Sequence, residues 1–196
     1  MAMNSVASEH EGAACSVLSE AFQDDPVMRW ICAKPDFVLA LFTLLVPLYC
    51  RQGLAFIDDE QSGASLWMPP GRQAQLKLAS VPHALRFLSL CGLKGIRRIG
   101  QFSRASQRSK PSVPFYYLFT IGVTKSVKGK GVGSKIMKHT LKLCDDTCTP
   151  AYLENSRFEN LGFYQKHGFE VTEETKLGTR GPTIWLMVRQ PQTADR

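Results

Sequence analysis

"VKGKGVGSK", Val127 to Lys135, stands between the apolar run "FYYLFTIGV" (115–123) and "IMKHTLKLC" (136–144). The first run is aromatic and β-branched and predicts a strand over Phe115–Val123; the second carries apolar residues at helical spacing and predicts a helix to about Cys144. Glycines 129, 131 and 133 at such a junction let backbone N–H groups approach an anion, and the helix dipole adds partial positive charge. A phosphate or pyrophosphate suits this chemistry. A Walker A loop ends in Gly-Lys-Ser/Thr, whereas Gly129-Lys130 is followed by Gly131. A dinucleotide fingerprint is GxGxxG early in the chain, and here the pattern is GxGxG after a late strand. The glycines alone also suit a tight turn, so the loop by itself leaves both readings open.

Downstream, the pattern predicts a strand at Ala151–Glu154, a helix from about Asn160 to His167, and two strands, Phe169–Lys176 and Thr183–Arg189, joined by "LGTRGP". His167 before Gly168 reads as a helix C-terminal residue complementing the dipole. Upstream, Ser8 with Glu11 reads as a capping box for a helix through Phe22. Asp25 and Pro26 read as N-cap and first residue of a short helix to Trp30. A longer helix follows from Asp36 to Gln52, then a hairpin of Leu54–Asp58 and Ala64–Met68, stopped by Pro69, Pro70 and Gly71. From Leu76 to Arg108, Pro82, Gly92 and Gly95 interrupt a helical pattern and predict two short helices. "RSKPSVP" is a linker. A strand–helix–strand unit flanked by hairpins describes a mixed α/β sheet.

The chain has 196 residues, 44% hydrophobic, which suits one domain with a full core. Six scattered cysteines argue against a disulfide framework and for free thiols in a reducing compartment. His139, Cys144 and Cys148 lack a CxxC pair and a fourth partner, so no metal site is expected. The amino terminus has neither the basic nor the apolar region of a secretory signal, and the most apolar run, Phe37–Cys50, is too short to span a bilayer. A cytoplasmic address with no membrane partner follows as an expectation. Net charge is +7, and from Gln61 to Cys144 the chain carries 15 Lys or Arg and no Asp or Glu. Such a segment favours polyanions or a phosphorylated small molecule, although Lys135, Lys138 and Lys142 at helical spacing also suit a solvated face.

"IGVTKSVKGKGVGSKIM" followed by "AYLENSRFENLGFYQKHGFEV" resembles the acetyl-CoA-binding core of the GNAT acetyltransferases. Through "GPTIWLMVR" the carboxy-terminal half is most similar to the puromycin N-acetyltransferases and their relatives, and "AFQDDPVMRW" and "LWMPPG" resemble them more loosely. The resemblance implies a single α/β (α+β) domain over 1–196. Its mixed, mostly antiparallel twisted sheet is splayed at the acetyl-CoA site and flanked by helices; 1–110 form a helical acceptor-side half with a β-hairpin and 111–190 the cofactor core. It further implies that the pantetheine arm pairs with Ile121, Gly122 and Val123, with Gly122 at a bulge and the Val123 N–H as oxyanion donor. The pyrophosphate is implied to sit on Lys128, Gly129, Lys130, Gly131, Val132, Gly133 and Ser134. Asn160 is implied to bond the pantetheine arm, and Tyr164, also at the cofactor, to act as general acid.

The implied reaction is direct attack of a small-molecule primary amine on the acetyl thioester, which needs a base as well as an acid. Glu154, at a strand end where burial raises a carboxyl pKa, is the candidate base; water positioning and a structural role stay open beside it. Asp24, Asp25 and Trp30 are candidates for receiving a cationic amine, with helix capping the competing reading of the acidic pair. "MAMNSVAS" is a poor strand where the family opens with a good one. Two rivals remain: a CoA-binding protein without catalysis, and a basic nucleic-acid module, against which the basic residues of 94–108 lack interleaved aromatics apart from Phe102. Oligomeric state stays open between monomer and homodimer.

Overall fold

The β-branched and aromatic runs pair into one seven-stranded sheet in the computed structural model, which describes residues 3–73, 75 and 80–192. The strands are β1 (Met3–Ser5), β2 (Leu54–Asp58), β3 (Gly63–Met68), β4 (Tyr116–Val123), β5 (Ala151–Asn155), β6 (Glu170–Lys176) and β7 (Thr183–Arg189). Their order is β1-β2-β3-β4-β5-β7-β6. Every neighbouring pair is antiparallel except β4–β5. The sheet is therefore mixed and mostly antiparallel, as the resemblance implied. The helices are α1 (Glu11–Phe22), α2 (Pro26–Ile31), α3 (Phe37–Gln52), α4 (Val81–Ser106), α5 (Val132–Asp146) and α6 (Leu161–Lys166).

Period-2 alternation divides the core between the two faces of the sheet. Ala55, Ile57, Ala64, Leu66 and Tyr152 pack with α1, α2 and α3, whereas Phe56, Trp67, Leu118, Leu153 and Met187 pack with α5 and α6. In α5 the buried residues Val132, Ile136, Thr140 and Met137, Leu141, Cys144 repeat at helical spacing, while Lys135, Lys138 and Lys142 are exposed. Those three lysines form the solvated face that their spacing allowed, and Lys142 pairs with Asp146 one turn on at 2.7 Å.

Four local expectations need correction. The first helix starts at Glu11; Ser8 lies in a preceding 3-10 turn and makes no capping bond, so the capping box does not form. "MAMNSVAS" does contribute a strand, because β1 is held by ladder pairing with β2 rather than by its own propensity. The two helices read in this segment are present, divided within α4 by Gly92 at φ +61, but Pro82 and Gly95, read as further interruptions, lie in the first turn and inside a helix. The reading's start, Leu76 and the residues to 79, lies outside the described residues.

The fourth concerns the bulge. Leu66 pairs with Thr120 and Trp67 with Leu118, which leaves Phe119 as the extra residue in β4. Gly122, expected to form the bulge, instead pairs regularly with Ala64. The extra residue flips the alternation, so that Gly122 faces α1, where an added Cβ would stand 2.6 Å from the Cβ of Ala21. Gly122 is bare because a helix lies on it. Ile121 and Val123 turn to the α5 side.

Candidate active site

β4 and β5 pair only over Tyr116–Leu118 and Ala151–Leu153, and from there they diverge. Glu154 and Asn155 remain paired with β7 alone. Thr124 N–H donates to Ser62 O at 2.8 Å, so strand alternation points the N–H groups of Ile121 and Val123 to the opposite edge, which β5 has left. A sheet interior thus acquires an unpaired polar edge, complementary to an extended ligand segment.

Beyond Val123 a single turn, tied to α1 by Lys125 N–H donating to Glu20 at 2.8 Å, leads to the glycine loop. Gly129 and Gly131 have φ +80 and +84, and nothing lies within 4 Å of where their Cβ atoms would be. Left-handed backbone, not crowding by protein atoms, requires these glycines. Gly131 is the N-cap of α5, and the first bond across it is Lys135 N–H to Gly131 O, so the amides of Val132, Gly133 and Ser134 open from the helix end. The amides of Lys128 and Lys130, expected in the same cradle, donate instead to Lys125 O and Val127 O. Gly133 lies against the ring of Phe163, 3.6 Å from an added Cβ, which brings α6 beside the loop.

Glu154 sits among hydroxyls. It accepts from Ser106 Oγ of α4 and from Tyr117 Oη of β4 at 2.8 Å, and the Tyr152 hydroxyl donates at 2.8 Å to Ser106 O. Burial raises the Glu154 carboxyl above the usual range, opposed by the Ser106 and Tyr117 bonds and by the charge of Lys110. Lys110 lies over the Tyr117 ring at 5.3 Å. Burial, together with the Glu154 charge, pushes the Tyr117 hydroxyl well above its ordinary value. It stays a donor to the carboxylate.

Asp25 caps α2 as the sequence predicted, accepting from Val27 N (2.9 Å) and Met28 N (3.0 Å). Its second oxygen accepts from Ser156 Oγ, just past β5. Arg157 donates to the carbonyl of neighbouring Asp24, so the end of β5 is fastened to the α1–α2 corner twice. Burial raises the Asp25 carboxyl, and burial together with the Asp25 charge raises the Tyr164 hydroxyl, which places Tyr164 and Asp25 within electrostatic reach.

The other expected residues are less free to bind a substrate. Asp24 lies on the surface 3.7 Å from Arg29 and 4.0 Å from Lys125. The ring of Trp30 is covered by the Arg98 guanidinium at 5.2 Å, and Arg98 also donates to the Trp30 carbonyl. Asn160 occupies the N-cap of α6 without making a side-chain capping bond. His167 Nδ1 lies 2.7 Å from Phe163 O, the last-turn contact expected of it. His139 packs edge-on against Phe56, and burial pushes the Cys144 thiol up to about 12. Among the described residues no group of three His, Cys, Asp or Glu is arranged to hold a metal.

Residues 94–171 match the family model of the acetyltransferase (GNAT) domain. The likeness to the GNAT acetyltransferases read from the sequence is borne out over that segment. This match and an N-acetyltransferase relative support an acyltransferase, and acetyl-CoA is the co-substrate general to that family. An uncharacterized N-acetyltransferase of Schizosaccharomyces pombe is 26% identical over this whole chain and 86% of its own length. Among solved structures, the histone acetyltransferase HPA2 and related acetyltransferase from Corynebacterium glutamicum superposes with a TM-score of 0.73 at 24% identity, covering 99% of this chain and 98% of that one. Arylalkylamine N-acetyltransferase 2 from Aedes aegypti shares the fold with a TM-score of 0.68 at 10% identity, covering 97% and 99%. This chain has, among its described residues, no helix long and apolar enough to cross a membrane.

What the sequence did not disclose are the groups around Glu154 and Asp25: Ser106, Lys110, Tyr117, Tyr152, Ser156 and Arg157. Ser106 is 48 positions from Glu154, and Ser156 is 131 from Asp25. The one local signal was alternation, which sets Tyr152 and Glu154 on the same face of β5.

Proposed function

We propose that this single-domain protein is an acetyl-CoA-dependent N-acetyltransferase that transfers the acetyl group directly to a small-molecule primary amine. The observation that carries the reading is the divergence of β4 from β5 immediately before an open, glycine-bearing helix terminus. The residues fit the co-substrate. Amides at Ile121 and Val123 suit the pantetheine arm, and those of Gly131 to Ser134 suit the pyrophosphate, where left-handed glycines leave an uncrowded cradle. Asn160, its side chain not used in capping, serves the pantetheine. When bound, acetyl-CoA supplies the activated acyl group.

The Val123 N–H polarises the thioester carbonyl, a role in which one well-placed donor is worth about 3 kcal/mol of barrier. Glu154 takes the proton from the amine, directly or through one water. Its raised pKa makes it a stronger base than an exposed carboxylate while leaving it ionised above that pKa. Tyr164 returns a proton to the departing thiolate, and its own raised pKa keeps the phenol protonated until then. Asp25 and Ser156 hold the strand end that carries Glu154 against α2.

The narrower likeness to puromycin N-acetyltransferases and the fold shared with an arylalkylamine enzyme make apolar primary amines the first acceptors to try. The reading also includes a cytoplasmic address. Thermal unfolding with acetyl-CoA, and with NADH and ATP as controls, tests the donor, because a ligand bound only by the folded state raises the midpoint. A rise with acetyl-CoA alone followed by amine-dependent thiol release supports the proposal; no rise at saturation overturns it.

A further inference from the structure

A cavity of about 190 Å³ opens between the last turns of α4 and the β6–β7 connection, with Gln101, Arg104, Ala105 and Arg108 on one wall and Lys176 and Gly178 on the other. Its volume is several times the roughly 30 Å³ that a water molecule takes in the liquid. Three of the eight lining residues, Arg104, Arg108 and Lys176, are cationic. A carboxylate beside them, Glu173, accepts from Ser109 Oγ at 2.6 Å and lies 3.9 Å from Arg108. Arg108 is thus partly compensated. Arg104 folds back to donate from Nε to Gly100 O at 3.2 Å, and among the described residues neither its terminal amino groups nor Lys176 has a carboxylate within salt-bridge distance. The amide of Gln101 stands 3.6 Å from the position of a Cβ on Gly178, at the mouth formed by the two walls.

The cavity wall adjoins a partner of the candidate base along the chain. Ala105 in its wall precedes Ser106, whose hydroxyl donates to Glu154 and whose carbonyl receives the Tyr152 hydroxyl. Leu177, also in the wall, belongs to the same buried cluster as Tyr152. The acid-free stretch of the sequence thereby acquires a location: two of its arginines meet a lysine of β6 around a concave surface one residue from the Glu154 partner.

We infer that this cavity binds an anionic group, a carboxylate or a phosphate, carried by the acceptor, so that the substrate is a primary amine with a negative charge at its far end. The inference rests on the acetyltransferase reading and narrows its acceptor. Arg104, Arg108 and Lys176 are exposed around a concave surface, and charge-assisted bonds from several such groups at once hold an anion more firmly than one group alone. Glu154, the candidate base, meets the amino end, so the two ends of the acceptor face opposite charges.

The test uses matched acceptors that differ only in the anion, with thiol release as readout: butylamine against γ-aminobutyrate for a carboxylate, and ethanolamine against phosphoethanolamine for a phosphate. The expected result is at least a tenfold higher kcat/KM for one or both anionic members, with the ratio falling toward one in Arg104→Ala/Lys176→Ala and inverting in Lys176→Glu. A preference for the neutral members, or a ratio unmoved by these substitutions, overturns the inference. A second arm needs no turnover: with CoA saturating the glycine loop, inorganic phosphate raises the unfolding midpoint of the unsubstituted protein and not of the double variant. Equal shifts in both overturn it as well. Failure of the acetyltransferase reading has a different signature, the absence of any midpoint shift with acetyl-CoA.

Discussion

The hydroxyl of Tyr117 donates to the carboxylate of Glu154 at 2.8 Å, across the parallel strands β4 and β5 just where their pairing ends. The bond fixes the candidate base at the lip of the opening and, with Ser106, supplies two donors that oppose the upward shift burial imposes on its carboxyl. Removing the base while keeping its shape is therefore the most informative substitution. Glu154→Gln should lower kcat by about 10²–10⁴, the range for a lost general base, with the acetyl-CoA midpoint shift retained. In the unsubstituted enzyme the base works ionised, so activity should fall as pH drops through a pKa above the ordinary ~4.3, and Glu154→Gln should lack that acidic limb.

The same residue makes a prediction about stability. Its carboxyl pKa is raised on folding, so between the unfolded and folded values the native state binds more protons, and stability declines as pH rises through that window. Above it, an ionised carboxylate is held in a poorly solvated place. Glu154→Gln should therefore gain midpoint relative to the unsubstituted protein at pH 8, and the gain should shrink as pH is lowered. A thermal-melt series across pH measures it.

Tyr164→Phe keeps the packing of a buried ring and removes only its hydroxyl. Turnover should fall with little change in acetyl-CoA affinity, as expected when a group acts in the transition state alone. Retained turnover would move the acid elsewhere.

At Gly131 two costs separate. Asn and Asp both meet the left-handed φ of +84, which costs roughly 1–2 kcal/mol in a residue with a Cβ. Only Asp adds a negative charge at the helix terminus. Gly131→Asp should abolish the acetyl-CoA midpoint shift, and Gly131→Asn should weaken it less at similar loss of stability.

Asp25→Ala removes a cap and the acceptor for Ser156 together. A loss of about 2 kcal/mol, the upper end for N-caps, is expected in urea unfolding. Asp25→Asn retains an acceptor for the Val27 and Met28 amides and should lose less.

Asp25 shows what a sequence makes legible. Cap and first-turn proline are neighbours, so the short helix and its cap could be read from two adjacent letters; the bond to Ser156 could not, because only the fold brings it there. Gly122 shows the opposite case. A glycine in a strand suggested a bulge, and the structure bulges at Phe119 instead, since Gly122 answers to the helix above it. The strand, glycine loop and helix were legible because they follow one another along one segment, and the roles proposed for Tyr164 and Glu154 were drawn from that same segment. Trp30 was not, because Arg98, 68 residues away, covers its face. The strand at Met3–Ser5 was hidden for the same reason: its stability comes from a partner, β2, more than 50 residues later.

The two margins of the sheet carry one more consequence. One is β1, three residues long, and the other is β6, "EVTEETK", with Glu170, Glu174 and Lys176 exposed. A margin that short offers few ladder bonds to a stranger, and one bearing several carboxylates repels its own likeness. The array consequently stops growing at seven strands. Both margins therefore work against crowded chains joining backbone to backbone into fibrils.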